Sequence, residues 1–142
     1  MQYGSVAGVS KPVSRLVLGT MIVDSREQER SSELLDGVFA QGCNCFDTAH
    51  VYAGGYSERG IGAWMEARGV REQMVILTKG CHPNGDRRRV TPYDLASDLH
   101  DSLARLKTDY VDIYLLHRDD TAVPVGEIVD ALNAQHAAGL VR

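Results

Sequence analysis

The chain alternates short apolar runs with longer segments of helical periodicity, and this alternation constrains its fold more than any other feature. Each apolar run is followed by a segment whose apolar side chains recur at helical spacing. The third helix has the clearest start, because Thr91 can cap it, Pro92 suits its first turn and Asp94 complements its dipole. The predicted strands cover residues 16–20, 44–49, 74–79 and 110–117, and the predicted helices cover residues 26–41, 57–68, 91–106 and 124–138.

Four consecutive strand-helix units with short connections predict parallel strands joined by right-handed crossovers, in either an open sheet or a barrel. An open dinucleotide-binding sheet needs a G-x-G-x-x-G loop after its first strand, where this chain has only Gly19. The nearest match begins at Gly60 and has Met65 at its last position. Gly55 and Gly60 have phosphate-loop spacing, but Ile61 stands where lysine is required. Both nucleotide-loop hypotheses fail, which weakens the open-sheet alternative.

The composition fits one core and limits the classes of partner. With 44% hydrophobic and 24% charged residues, we expect a single domain over residues 1–142. A net charge of −4 and one basic run, Arg87 to Arg89 without interleaved aromatic residues, argue against nucleic acid. No apolar stretch is long enough for a membrane span, the first four residues lack the pattern of a signal peptide, and three cysteines do not imply a disulfide framework. We expect a cytoplasmic protein with reduced thiols.

Ionisable residues fall at the ends of three predicted strands. Asp47, Lys79 and His117 each lie at the C-terminal end of a separate strand, which is the edge where parallel α/β barrels build active sites. Counting by twos along each strand places all three on the face that points into one barrel mouth. A cluster of this kind favours a functional site over three unrelated solvated side chains.

Several motifs resemble the aldo-keto reductase family. The segments Phe46 to Tyr52, Thr78-Lys79 and Tyr110 to His117 are similar to that family's three N-terminal signatures. Leu18 to Met21 resembles its first strand, and Gly139 to Arg142 resembles the start of its fifth. The resemblance implies a (β/α)₈ barrel of the TIM type, of which this chain holds only the first four βα units, a half barrel preceded by a short N-terminal hairpin.

The resemblance also implies a reaction, the NADPH-dependent reduction of an aldehyde or ketone to an alcohol. It maps the family's catalytic tetrad onto Asp47, Tyr52, Lys79 and His117. In this scheme Tyr52 donates the proton to the reduced carbonyl oxygen, and the ammonium of Lys79 stabilises the phenolate left behind. Asp47 holds that lysine, and His117 donates a hydrogen bond that polarises the carbonyl.

Only part of a cofactor site is expected. The resemblance assigns NADPH contacts to Gly19, Thr20, Met21 and Asp47, and the family's other contacts lie beyond the fourth unit. Because the chain stops where a fifth strand is expected, the first and fourth strands should be open edges with an apolar inner face. We therefore expect a homo-oligomer or a complementing second half barrel as a partner, besides the carbonyl substrate. The alternative function is a catalytically silent half barrel that acts as an assembly or interaction module.

Two metal-site hypotheses are weak. Cys43 and Cys45 lie two apart like a ligand pair, but no second pair completes a zinc site, so we interpret them as small core residues. A metal-dependent hydrolase built on His117, Asp119 and Asp120 lacks the further histidines that such chemistry needs. We expect no metal.

Structural alternatives to the tetrad roles stay open. Tyr52 could cover a glycine-rich loop, His117 could be a core histidine bonded to a carbonyl group, and Lys79 could be a surface residue. We interpret Arg87 to Arg89 as a solvated loop rather than a phosphate clamp, and His82 as a loop histidine with a weaker chance of contacting substrate.

Overall fold

The computed structural model describes residues 1–142 and contains a four-stranded parallel sheet with a small antiparallel hairpin before it. Short 3-10 turns lie at Ser25–Glu27, Tyr52–Gly55 and Arg71–Gln73. No helix has the length and apolar character needed to cross a bilayer. The strands are β1 (Tyr3–Gly4), β2 (Val13–Ser14), β3 (Val17–Gly19), β4 (Cys45–Asp47), β5 (Val75–Gly80) and β6 (Ile113–Leu116), and the helices are α1 (Gln28–Ala40), α2 (Tyr56–Arg68), α3 (Pro92–Leu106) and α4 (Val125–Ala137).

The order of strands in the main sheet equals their order in the chain, β3-β4-β5-β6, and every pairing is parallel. This is the arrangement of consecutive strands in a barrel wall. At the end of the chain, Val141 forms a parallel bridge with Val111, so a further strand begins to pair beside β6. The predicted half barrel of four βα units preceded by a hairpin is confirmed.

The sheet has one face covered by helices. Phe46, Ile76 and Tyr114 point to that face and belong to the main hydrophobic core. The leucines of α3 recur at helical spacing and are buried, because this spacing places each of them toward the sheet. The helical residues that pack into this core include Leu35, Ile61, Trp64, Met65, Leu95, Leu99, Leu103 and Leu106.

The opposite, inner face is closed only at the N-terminal end of the strands. There Val9 and Val13 from the hairpin region pack against Cys45 and Val75. Farther along the strands the inner face opens, and Leu115 is 42% exposed; Val17, at the start of the edge strand β3, is 50% exposed. The hairpin therefore plugs one end of the half barrel and leaves the carboxyl end accessible.

A buried carboxylate ties the hairpin end together. Asp112 accepts hydrogen bonds from the ammonium of Lys11 at 2.7 Å, from the guanidinium of Arg71 at 3.0 Å and from the backbone N–H of Ile76 at 2.9 Å. Because these donors come from the hairpin segment, the turn after α2 and β5, one side chain links three parts of the fold.

Helices α2 and α3 approach so closely that one position between them must be glycine. A Cβ atom on Gly62 would lie 2.4 Å from the carbonyl oxygen of Arg105 and 2.8 Å from the Cα atom of Leu106. The backbone of α3 fills the space that any larger residue would need, so Gly62 fixes the distance between the helices.

The arginine run differs from the sequence expectation of a solvated loop. Arg87 forms a two-point ion pair with Asp94, and Arg89 forms one with Asp98. Both carboxylates are buried on α3 one turn apart, and the pairing with Arg87 lowers the pKa of Asp94 to about 2. Arg89 is 18% exposed, so the interpretation as solvent-facing is wrong for this residue. The sequence does not show that the two aspartates of α3 lie opposite these arginines.

We predict that Asp112→Ala lowers the free energy of unfolding by about 3–5 kcal/mol, because it leaves Lys11 and Arg71 without their buried partner. Glu27→Ala is the matched control, since it removes the exposed pair with Arg30 and should have little effect. Denaturant unfolding followed by circular dichroism measures both. Equal effects of the two substitutions would contradict the linking role of Asp112.

Candidate active site

The structure brings the four predicted catalytic side chains to one rim, at the carboxyl end of the sheet. Asp47 ends β4, Lys79 is near the end of β5, and His117 directly follows β6. The backbone N–H of His117 donates to the carbonyl group of Gly80 at 2.8 Å, which extends the pairing of β5 and β6 by one residue. Side-chain alternation correctly predicts that the three polar residues share the inner face, opposite Phe46 and Tyr114.

Lys79 has an acceptor for each of its three N–H donors. Its ammonium contacts the carboxylate of Asp47, donates to the carbonyl oxygen of Thr48 at 2.7 Å and lies 3.4 Å from the phenolic oxygen of Tyr52. The lysine side chain is 13% exposed and that of Asp47 is 37% exposed. A lysine this buried is held in place by its partners, so the alternative of a surface lysine does not describe Lys79.

Tyr52 is presented by a tight turn after β4. Its backbone N–H donates to the carbonyl group of Ala49 at 3.0 Å. The next three residues, Ala53, Gly54 and Gly55, have φ values of 50°, 63° and 91°, which reverse the chain before α2 begins. This run of left-handed backbone aims the phenol at Lys79 and His117, and the Tyr52 and His117 rings meet edge to face at 5.7 Å.

The imidazole of His117 lies in a setting that disfavours its charged form. Burial lowers the pKa of His117, and the neighbouring His82, Lys79 and Arg118 lower it further. The ring of His82 lies 4.8 Å away in an edge-to-face contact, which places this second histidine beside the site. The Nδ1 atom of His117 is buried and has no hydrogen-bond partner, so the alternative of a core histidine bonded to a carbonyl group does not describe it.

Besides Asp47, the residues assigned to the cofactor lie at the end of the edge strand β3 and directly after it. Gly19 pairs with Asp47 and has open space where a side chain would project, and Met21 is 71% exposed. Thr20 is different, because its buried hydroxyl donates to the carbonyl oxygen of Asp47 at 2.9 Å. Gly19 and Met21 thus border open space next to Asp47, and Thr20 supports the strand end.

Sequence reasoning missed a polar layer beneath the rim. Thr48 takes part through its carbonyl oxygen, which leaves no signal in a side-chain pattern. Glu58 is completely buried and contacts Thr78 and Arg105. The sequence does carry a signal for the burial of Glu58. This residue lies at helical spacing from Ile61 and therefore on the apolar face of the helix predicted over residues 57–68.

The cysteines and the hydrolase-like residues form no competing centre. Burial raises the pKa of the Cys45 thiol to about 11 and that of the Cys81 thiol to about 12, which suppresses the thiolate that metals and electrophiles need. Cys43 is likewise a buried free thiol. No group of three or more His, Cys, Asp or Glu side chains is arranged to hold a metal ion.

The fold and the site define the class: half of a parallel β/α barrel whose ionisable residues converge at the rim where such barrels place their active sites. A sequence model described as the Aldo/keto reductase family matches residues 15–142. The chain belongs to the aldo/keto reductase family.

Individual relatives agree with this assignment. An NADP(+) aryl-alcohol dehydrogenase from Phanerodontia chrysosporium is 34% identical over 94% of this chain and 40% of its own length. The aldo-keto reductase YhdN of Bacillus subtilis is 30% identical over 100% of this chain and 45% of its own length. The holo form of an aldo-keto reductase from Bacillus halodurans superposes with a TM-score of 0.87 at 26% identity, over 100% of this chain and 48% of its own. The chain spans about half the length of the relatives it matches.

We predict that the His117 imidazole is neutral at pH 7 and titrates below the ordinary histidine value of about 6.5, because burial and the cations around it oppose protonation. His82→Asn should raise the midpoint, since it removes a neighbour that repels the proton, whereas the distant, exposed Arg30→Gln should leave it in place. Histidine ring signals followed by NMR through a pH titration give the midpoints. A His117 midpoint above the ordinary value, or a fall on substituting His82, would contradict the prediction.

Proposed function

We propose that the chain carries the proton-transferring part of a cytoplasmic carbonyl reductase, which reduces an aldehyde or ketone to an alcohol with NADPH. Tyr52 is the general acid, assisted by Lys79, Asp47 and His117. The observation that carries the proposal is the contact of one ammonium with the carboxylate of Asp47, the carbonyl group of Thr48 and the phenol of Tyr52. Membership of the family and the buried free thiols support the chemistry and the compartment, respectively.

The ammonium of Lys79 orients the hydroxyl proton of Tyr52. Because Lys79 donates to the phenolic oxygen, the hydroxyl proton of Tyr52 is free to point toward a substrate oxygen. When that proton leaves, the phenolate lies 3.4 Å from a positive charge. An attraction of this kind amounts to about 5 kcal/mol at an effective dielectric of 20, and the carboxylate of Asp47 offsets part of it. The ammonium of Lys79 therefore stabilises the phenolate that is left when Tyr52 gives up its proton.

His117 supplies the second polar contact to the carbonyl oxygen. A neutral imidazole has one N–H and one lone pair, and an orphaned buried N–H is costly. Since Nδ1 is buried without an acceptor, we place the proton on Nε2, where it can donate to the substrate. The lowered pKa of His117 keeps this neutral form in place at neutral pH. The imidazole therefore orients and polarises the carbonyl while Tyr52 protonates it.

The cofactor assignment rests on the fit of the edge strand and on relatives. Gly19, Met21 and the exposed oxygen atoms of Asp47 border open space beside the proton donor, and Thr20 braces the strand end. One relative is named as an NADP(+) enzyme and one structural neighbour is a holo form. The hydride that reduces the carbonyl carbon comes from NADPH when it is bound. Asp47 thus contacts Lys79 and also borders the space proposed for the cofactor.

We predict that Tyr52→Phe lowers the turnover number for carbonyl reduction by about 10²- to 10⁴-fold, because it removes the proton donor and leaves the ring in place. Tyr93→Phe is the matched control, since this tyrosine is 78% exposed and lies on α3 away from the rim. NADPH oxidation with a panel of aldehydes and ketones measures the rates, and circular dichroism verifies the fold. Wild-type turnover in Tyr52→Phe would remove Tyr52 from the role.

A second candidate function, assembly without catalysis, is favoured by the exposed inner face of the sheet. Val17 and Leu115 present apolar side chains on the two edge strands, which other strands can pair with. A homo-oligomer or a complementing half barrel would cover them.

NADPH binding separates these candidates, and sedimentation tests the association itself. We predict saturable quenching or enhancement of NADPH fluorescence, which a purely assembling half barrel would not give. We also predict concentration-dependent association in sedimentation equilibrium, weakened by Leu115→Glu on the inner face and unaffected by Val129→Glu on α4, a residue of similar exposure. A monomer at every concentration with a cooperative melt would contradict the association.

A further inference from the structure

A guanidinium from α3 reaches into the loop that carries Tyr52. Arg105 donates from Nη1 to the carbonyl oxygen of His50 at 2.8 Å, two residues before Tyr52. The side chain is 17% exposed, so this contact is largely shielded from water. A charge-assisted hydrogen bond to a backbone carbonyl fixes the direction of the peptide that precedes the proton donor.

The same guanidinium also lies against the far side of that loop. A Cβ atom on Gly55 would lie 2.7 Å from the Cζ atom of Arg105, so only a glycine backbone permits the contact. Gly55 is three residues after Tyr52 and has a φ of 91°. Arg105 therefore touches the turn on both sides of Tyr52, where Ala53 holds a left-handed backbone that costs energy in a residue other than glycine.

Arg105 is in turn held by a carboxylate in the core. Glu58 on α2 is 0% exposed, and its Oε2 atom lies 3.3 Å from Nη1 of Arg105. Its other oxygen accepts a hydrogen bond from the hydroxyl of Thr78 at 2.6 Å, and Thr78 directly precedes Lys79 on β5. The remaining nearby carboxylate, Asp101, is 57% exposed and contributes little.

These contacts form one path from the core to the two groups that handle the proton. Through Arg105 the path reaches the backbone on either side of Tyr52, and through Thr78 it reaches the strand position beside Lys79. We propose that Arg105, anchored by Glu58, is a positioning residue that holds the phenol of Tyr52 within reach of the ammonium of Lys79. This inference rests on the proposed function, since it assumes that the distance between those two groups matters for reduction.

The competing explanation is that Arg105 only neutralises Glu58. A buried carboxylate that loses its partner is strongly destabilising, so Arg105→Met alone can unfold the chain. The double variant Glu58→Gln/Arg105→Met removes both charges and keeps an acceptor for the hydroxyl of Thr78. Apart from the exposed pair with Asp101, it then deletes only the contacts of Arg105 to His50 and Gly55. It separates loop positioning from charge compensation.

The test combines hydrogen exchange with kinetics on the full chain. In the double variant we expect amide exchange across residues 50–55 to accelerate about tenfold or more, while the strands β4 and β5 keep their protection. We expect the turnover number to fall about 10- to 100-fold with a much smaller change in KM, because a displaced acid affects proton transfer more than substrate binding. Arg68→Met is the matched control, since it removes an exposed arginine paired with Asp36 near the end of α2.

The results of these measurements decide whether Arg105 positions Tyr52. Wild-type exchange across the loop and wild-type turnover in the double variant would reduce Arg105 to charge compensation and overturn the inference. Partial recovery in Glu58→Gln/Arg105→Lys, which restores a cation but not the flat group against Gly55, would support it. If the wild-type chain reduces no carbonyl compound, the proposed function fails, and the exchange measurement still shows whether Arg105 orders the loop.

Discussion

The ammonium of Lys79 is the interaction on which the rest of the site depends. The ammonium of a lysine that is 13% exposed needs acceptors to replace the water it has lost, and here three acceptors do so. Two of them come from the end of β4 and the residue after it, which the parallel pairing of β4 and β5 brings alongside Lys79. The third, the phenol of Tyr52, comes from the turn that follows. The regular sheet thus supplies two contacts, and an irregular loop supplies the third, which is the reactive one.

This division explains how far the sequence could predict the molecule. Strand residues alternate between faces, so the positions of Asp47, Lys79 and His117 on one rim followed from counting by twos, and the apolar stripes of the helices followed from their spacing. Loop geometry has no such period. Tyr52 is aimed by three left-handed residues and by contacts with Arg105, which lies more than fifty residues later in the chain and carries no local signal. The resemblance to a known family indicated Tyr52; the physical reason for its placement became visible only in three dimensions.

Buried carboxylates organise both ends of the half barrel. Asp112 gathers Lys11 and Arg71 at the hairpin end, whereas Glu58, Asp94 and Asp98 each meet an arginine toward the carboxyl end. Replacing such pairs by apolar residues often costs nothing, so their contribution lies in fixing which segments meet and in which orientation. At the hairpin end, Asp112 holds the hairpin segment against the strands. At the carboxyl end they hold the loops that carry the polar groups, which is why an arginine run that looked solvent-facing is partly structural.

The proposed proton-handling residues and most of the proposed cofactor-binding residues lie on different parts of the sheet. Asp47 and Lys79 lie on the interior strands β4 and β5, where parallel neighbours on both sides fix each backbone, whereas Gly19 ends the edge strand β3 and Met21 follows it. Because a strand with neighbours on both sides is more rigid than an edge strand, Asp47 and Lys79 are held more firmly than Gly19. Asp47, on β4, belongs to both the proposed proton-handling residues and the proposed cofactor residues. Through its contact with Lys79, a cofactor beside β3 would change the surroundings of Lys79 and Tyr52.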